Sequence, residues 1–149
     1  MLRKSIEDSE AIFNDSFLAE IKSIKAEKGL EERISFAQSS LGIIKNIFEM
    51  GGENPGLIYP IIMRIKEMLL IKCILENKKY SFKLMEGAVQ SRGISESDFK
   101  KLVSIYRAER DGKKPILYNF NKGVFAKLLK LLEELIDDAE KKEKAQKRH

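Results

Sequence analysis

Apolar residues recur at alternating steps of four and three along most of this chain. The cleanest series lies in its first third: Leu30, Ile34, Ala37, Leu41, Ile44 and Phe48. This spacing places the apolar side chains on one face of a helix. Nowhere does the sequence show the strict apolar–polar alternation of a half-buried strand. The pattern therefore predicts an all-α protein.

The segment before this series has a stripe of its own. It consists of Ile6, Phe13, Phe17, Ile21 and Ile24 and predicts a helix over residues 3–27. Lys28-Gly29 ends that helix, because glycine readily adopts the left-handed conformation that follows a helix. The same spacing predicts further helices over residues 57–76, 81–91, 95–112 and 121–145.

The connections between these helices are short, and the chain has 149 residues, a length typical of one domain. Short connections favour antiparallel neighbours. We therefore expect a single up-down bundle of about five principal helices over residues 1–140. Residues 141–149 are highly charged and lack apolar anchors beyond Ala145, so we expect them to form a frayed tail.

Several functional classes are disfavoured by residue counts. The single cysteine excludes an internal disulfide, and the single histidine argues against a His-rich metal site or a Ser-His-Asp triad. We therefore expect no metal and no cofactor. No run of 18 uncharged apolar residues predicts a membrane span, and the first residues lack the apolar core of a secretory signal. These features favour a cytoplasmic protein.

Positive charge is concentrated in the middle of the chain. Residues 60–130 contain 16 basic and 7 acidic side chains, whereas the segments on either side are slightly acidic. Such an excess is typical of a surface that attracts phosphates, as in RNA, DNA or a nucleotide. A solvated face of a lysine-rich protein would produce the same composition, so both interpretations stay open.

Arg64 is a charged residue on the otherwise apolar third helix. It lies three residues before Glu67, and a buried charge is costly unless it is paired. One interpretation is an internal Arg64–Glu67 pair that stabilises helix packing. The other is that Arg64 faces a functional cleft beside a later helix.

The densest polar cluster of the chain is the stretch from Tyr106 to Lys114. Arg107 and Arg110 are three residues apart and can hold one phosphate between them, with Lys113 and Lys114 beside them. The alternative is a basic helix C-terminus that the helix dipole stabilises. Arg64, Arg107, Arg110, Lys113 and Lys114 are the predicted anion-binding residues, and the sequence indicates no catalytic residue.

Three segments of the chain carry a likeness to a known family: residues 64–72 (RIKEMLLIK), 77–81 (NKKYS) and 106–114 (YRAERDGKK). Together they resemble the helical HEPN-type domains that accompany small nucleotidyltransferases in archaea and bacteria. The resemblance implies a helical bundle, frequently dimeric, with a groove between its third and later helices. Active members of the family are RNA-cleaving and carry an arginine followed closely by a histidine. No histidine follows Arg107 or Arg110 here, so the resemblance implies a non-catalytic member.

The sequence therefore favours a non-catalytic binding module that uses a basic groove. Its expected ligand is RNA, a nucleotide or an acidic protein surface such as that of a nucleotidyltransferase. Two alternatives stay open: a HEPN-type ribonuclease with a substituted active site, and a structural subunit that forms a homodimer through its apolar stripes.

Overall fold

The computed structural model describes residues 29–114 and 118–147. The helix predicted over residues 3–27 lies outside these residues. The described chain contains five α-helices in the order α1 (Leu30–Gly51), α2 (Ile58–Glu76), α3 (Phe82–Gln90), α4 (Glu96–Arg110) and α5 (Val124–Lys147), with a 3-10 turn at Pro55–Leu57. Since this part of the chain has no strand, the prediction of an all-α helical bundle is confirmed.

Helix α2 is the central element of the core. Its apolar residues surround most of its circumference, and ten of its side chains are buried. Helix α5 makes its most extensive contacts with α2 and then with α1. Two polar contacts, Gln38 to Glu140 and Lys45 to Glu133, show that α1 and α5 are antiparallel.

Helices α2 and α4 meet around Tyr106. The Tyr106 ring stacks on Tyr59, with centroids 5.2 Å apart. Lys66 is buried in the same contact, and its Nζ donates a hydrogen bond to the Tyr106 hydroxyl at 3.4 Å. Because Tyr59 and Lys66 are seven residues apart, they lie on the same face of α2, and this face is the one turned toward α4.

The C-terminal segment is helical as far as the structure describes it. Helix α5 continues through Lys147, so it includes residues 141–147 of the segment that is predicted to fray. The reason is polar anchoring: Lys142 bonds to Glu76, Glu143 is buried, and the Gln146 amide donates to the Leu75 carbonyl oxygen at 2.8 Å. The end of α5 is therefore attached to the end of α2 by these polar contacts, in which no apolar side chain takes part.

Candidate anion-binding site

Arg64 lies between α1 and α2. Its Nη1 is 3.1 Å from Oε2 of Glu67, and its guanidinium lies 4.5 Å from the centroid of the Phe36 ring. The side chain is 13% exposed. These contacts match the interpretation of an internal Arg64–Glu67 pair that stabilises helix packing.

The structure does not bring Arg64 together with the other predicted residues. At 3.6 residues per turn, Arg64 is about 140° around α2 from Tyr59, which marks the face turned toward α4. The contacts of Arg64 are with Phe36 on α1 and with Glu67 on its own helix. Arg64 and the α4 arginines therefore lie beside different neighbours of α2, and the described residues do not bring them together.

The other four predicted residues lie together at the C-terminal end of α4. The helix ends in a Schellman motif, in which Gly112 has φ 72° and the Lys113 N–H donates to the Ala108 carbonyl oxygen at 2.7 Å. Arg110 Nε is 3.2 Å from Oδ1 of Asp111. Lys113 and Lys114 are exposed beyond the helix end.

Arg107 has the most unusual environment of these four residues. Burial first, and then the nearby charge of Arg110, hold the pKa of its guanidinium below the usual value. Within residues 29–114 and 118–147, the guanidinium of Arg107 forms no hydrogen bond and no ion pair. The two arginines are therefore close, as a phosphate clamp requires, but Arg110 already has a carboxylate partner.

A second and larger group of cations surrounds a cavity of about 470 Å³ between α2, α3 and α5. We call this cavity the lysine groove. Its basic lining consists of Lys72, Lys78, Lys79, Lys83 and Arg92. Its apolar lining includes Leu69, Cys73, Leu84, Ala88, Leu131 and Leu135. The groove therefore combines a cationic lining with an aliphatic one, and no aromatic side chain of the described residues lines it.

The turn between α2 and α3 brings two of these lysines to the groove. Helix α2 ends because Asn77 adopts the left-handed conformation, with φ 54° and ψ 45°, which asparagine tolerates better than most residues. Helix α3 begins at once, since the Ser81 hydroxyl accepts a hydrogen bond from the Leu84 N–H at 3.3 Å. Lys78 and Lys79 lie in the short connection and are exposed.

The cations of the groove differ in how far they are already paired. Lys72 lies 3.9 Å from Asp138, Lys78 lies 3.5 Å from Glu76, and Arg92 forms an ion pair with Glu134. Lys79 and Lys83 are exposed, and the ammonium group of neither forms an ion pair or a hydrogen bond within the described parts of the chain. These two lysines are therefore available to an incoming anion.

Cys73 closes the inner side of the groove. It is 3% exposed, and burial, with a smaller contribution from Glu76, raises the pKa of its thiol. A thiol in this environment is a weak nucleophile, because the thiolate is the reactive form. Cys73 is therefore a structural residue, which agrees with its position in the apolar run of α2.

Glu76 is the carboxylate at the edge of the groove. The hydrogen bond from Lys142 is the main cause that holds the pKa of Glu76 below its usual value, and the charges of Lys142, Lys78 and Lys72 act in the same direction. The same bond raises the pKa of Lys142. The negative charge of Glu76 is therefore largely compensated inside the protein.

We expect Glu76→Gln to lower the free energy of unfolding by about 0.5–1 kcal/mol near neutral pH. Because the pKa of Glu76 is depressed in the folded state, this stabilisation is present above the pKa of an unfolded glutamate, about 4.3. It is lost as the pH falls through the lower folded value. Urea denaturation at about pH 7 and about pH 3 measures both limits.

Glu86→Gln is the matched control for this prediction, because Glu86 forms no ion pair within the described residues. It changes the net charge equally, and we expect its effect on unfolding to be close to zero at both pH values. A difference between wild type and Glu76→Gln that persists in acid would contradict the role of the ionised carboxylate.

The described residues contain neither a metal site nor a membrane-spanning helix. No group of three or more His, Cys, Asp or Glu side chains in residues 29–114 and 118–147 is arranged to hold a metal ion. None of the five described helices combines the length and the apolar character that crossing a membrane requires.

The chain was compared with known proteins in three ways. It matches no protein-family model, no curated protein and no solved structure. The resemblance to HEPN-type domains therefore stays a prediction.

Lys78 and Lys79 belong to the basic segment over residues 60–130, but no pattern in the sequence predicts the lysine groove. The available signal was that Lys72 and Lys83 are close in sequence, with an asparagine and a helix-capping serine between them. A tight turn at Asn77 folds these lysines toward one another. Arg92 and the two leucines from α5 could be assigned to the same cavity only from the tertiary structure.

Proposed function

We propose that this protein is a binding module whose lysine groove holds an organic phosphate of nucleotide size. The observation that carries the proposal is the pair of exposed, unpaired lysines, Lys79 and Lys83, beside an aliphatic cavity. Phosphate oxygens are strong acceptors for ammonium groups. The apolar part of the ligand would lie against the leucines.

The charge of the groove supports an anionic ligand. Five cations and one carboxylate line the cavity, and that carboxylate, Glu76, is already bonded to Lys142 and lies near Lys78. A cleft lined by one sign of charge raises the local concentration of ligands of the opposite sign. An anion entering the groove would therefore meet a net positive potential.

The size and lining of the groove favour a small molecule over a nucleic-acid strand. Cavities of about 300–1,000 Å³ are typical of small-molecule sites, and this one has about 470 Å³. Proteins that bind single strands stack successive bases on aromatic side chains, and within residues 29–114 and 118–147 none lines this groove. Among the ligands that the sequence suggests, a nucleotide thus fits the groove better than RNA.

Titration of the full chain with ATP, AMP and inorganic phosphate tests this proposal. We expect ATP to bind more tightly than inorganic phosphate, because it adds both charge and an apolar moiety. Replacing Lys79 and Lys83 together by alanine should weaken ATP binding by at least about tenfold, since each lost bond to a charged group contributes about 1.5–3 kcal/mol. The affinity should also fall with added salt.

The matched control is the double variant Lys113→Ala with Lys114→Ala. It removes the same charge from two exposed lysines at the end of α4, outside the groove lining. We expect ATP affinity to change by less than about twofold in this variant, because bulk salt screens distant charges. Equal losses in the two double variants, or no ATP binding by the wild type, would overturn the proposal.

The end of α4 supports a second candidate, the binding of RNA or of an acidic protein surface by Arg107 and its neighbours. The observation that favours it is the proximity of Arg107 and Arg110, with Arg107 unpaired in the described structure. A larger effect of the Lys113/Lys114 variant on binding of a short single-stranded RNA would identify this cluster as the functional surface.

A further inference from the structure

The inner surface of the lysine groove is aliphatic. Helix α2 contributes Leu69 and Cys73 to it, and helix α5 contributes Leu131 and Leu135. The members of each pair are four residues apart, so they lie on the same face of their helix. All four side chains are buried. The floor of the groove is therefore an apolar surface to which two helices contribute.

Helix α3 forms the outer wall of the groove, and its side chains there are short. Gly87, Ala88 and Ser91 line the groove beyond Lys83 and Leu84. Apart from its neighbours in the helix, no atom of the described residues lies within 4 Å of the point that a Cβ of Gly87 would occupy. Leu84 is 40% exposed although it is a large apolar residue. The groove therefore has open space beside an apolar side chain that solvent reaches.

The lining lacks the groups that hold a nucleobase. No aromatic side chain of residues 29–114 and 118–147 lines the groove, so a base has no ring to stack on. Among the described residues, Glu76 and Ser91 supply the side-chain oxygens of the lining. Glu76 is bonded to Lys142, and the Ser91 hydroxyl donates to the Ala88 carbonyl oxygen at 2.7 Å. A base buried here would find few acceptors for its polar edge, and burial of unpaired polar groups is unfavourable.

We propose that the ligand of the lysine groove is a phosphate ester of an aliphatic chain, a ligand class that rests on the function proposed above. The phosphate would lie at Lys79 and Lys83, and the chain would lie against Leu84 and the apolar floor. An aliphatic chain has no polar atom that needs a partner, and burial of each CH₂ group is favourable. The groove face of α3 extends about 12 Å from Lys83 to Ser91, which leaves room for an extended chain of several carbons.

A homologous series of alkyl phosphates tests this proposal, because butyl, hexyl and octyl phosphate share one headgroup and differ only in chain length. Binding to the full chain is followed by nuclear magnetic resonance titration, below the critical micelle concentration of each compound. Between butyl and hexyl phosphate we expect the affinity to rise by about threefold to fourfold for each added CH₂. Hexyl phosphate should bind at least about fivefold more tightly than AMP, a phosphate monoester of the same charge, because the base leaves polar atoms without partners.

Gly87→Leu is the variant that fills the groove. The space beside Gly87 is open and leucine has a higher helix propensity than glycine, so the variant should fold, which thermal melting checks. We expect it to remove the dependence on chain length and to leave the affinity for inorganic phosphate unchanged, because Lys79 and Lys83 are retained. Leu84→Ala, which only shortens an exposed side chain, should weaken hexyl phosphate binding by at least about threefold.

Gly42→Leu is the matched control. Gly42 is also a helical glycine with open space beside it, but it lies on α1, outside the groove lining. Its affinities for the alkyl phosphates should equal those of the wild type. Equal affinities for hexyl phosphate in Gly87→Leu and Gly42→Leu would contradict the proposed position of the chain.

The outcomes separate the aliphatic chain from the function on which it rests. If AMP binds as tightly as hexyl phosphate, or if the affinity does not change with chain length, the aliphatic chain is wrong and the binding of an organic phosphate stands. If no organic phosphate binds, ATP included, the proposed function itself is wrong. Sedimentation with vesicles of phosphatidylcholine and phosphatidic acid identifies the source of the chain: cosedimentation that Gly87→Leu removes indicates a membrane lipid, and hexyl phosphate binding without cosedimentation indicates a free molecule.

Discussion

Leu132→Ala is expected to lower the free energy of unfolding by about 3 kcal/mol. Leu132 is completely buried near the middle of α5, the helix that packs against both α2 and α1. Truncation to alanine removes buried apolar surface and leaves a cavity that the rigid neighbouring helices fill only in part. Urea denaturation followed by circular dichroism measures the change.

The control for this prediction is the same substitution at a partly exposed leucine. Leu84 is 40% exposed on α3, so its truncation creates no closed cavity, and we expect a loss of less than about 1 kcal/mol. A loss at Leu132 no larger than at Leu84 would show that α5 does not form the centre of the core.

Asp98→Ala is expected to lower the free energy of unfolding by about 2 kcal/mol. The Asp98 side chain is almost fully buried, and one carboxylate oxygen accepts a hydrogen bond from the Asn121 N–H at 3.4 Å. The other oxygen lies 3.7 Å from Nζ of Lys101. Alanine would leave a backbone donor without its partner and Lys101 without its carboxylate.

The loss of stability in Asp98→Ala should affect the connection before α5 as well as the whole fold. Asn121 belongs to the connection before α5, and Lys101 also donates to the Asn119 carbonyl oxygen at 2.9 Å. We therefore expect faster amide hydrogen exchange around residues 119–121 in Asp98→Ala than in wild type. Asp98→Asn keeps an acceptor of the same shape, and its loss should be smaller. Equal losses in both variants would indicate that charge, and not the hydrogen bond, is what matters.

Asp98 also shows that the helix-capping pattern at the start of α4 is only partly formed in the structure. Ser95 directly precedes α4, and its hydroxyl accepts a hydrogen bond from the Asp98 N–H at 3.1 Å. In a complete capping box the side chain three residues later would return to the serine backbone. Here the Asp98 carboxylate is instead bonded to Asn121, 23 residues away in sequence, a partner that only the tertiary structure supplies.

The helices themselves could be read from the sequence. Apolar spacing predicts α1, α2 and α5 because burial of one helix face depends mainly on which side chains share that face. The stop at Asn77 and the cap at Ser81 or Ser95 are local effects of a few backbone atoms. For these elements, the interactions that determine the structure are formed by residues that are close in sequence.

The tertiary structure decided which charges meet. Arg64 pairs with Glu67 and lies against Phe36, away from the α4 arginines. Lys79, Lys83 and Arg92, in contrast, line one cavity together with leucines of α5. The end of α5 is bonded to Glu76 of α2 through Lys142. Spacing along one helix determines which residues share a face. Which other helix packs against that face depends on how the helices cross, and this packing determines the ion-pair partners of the charged side chains.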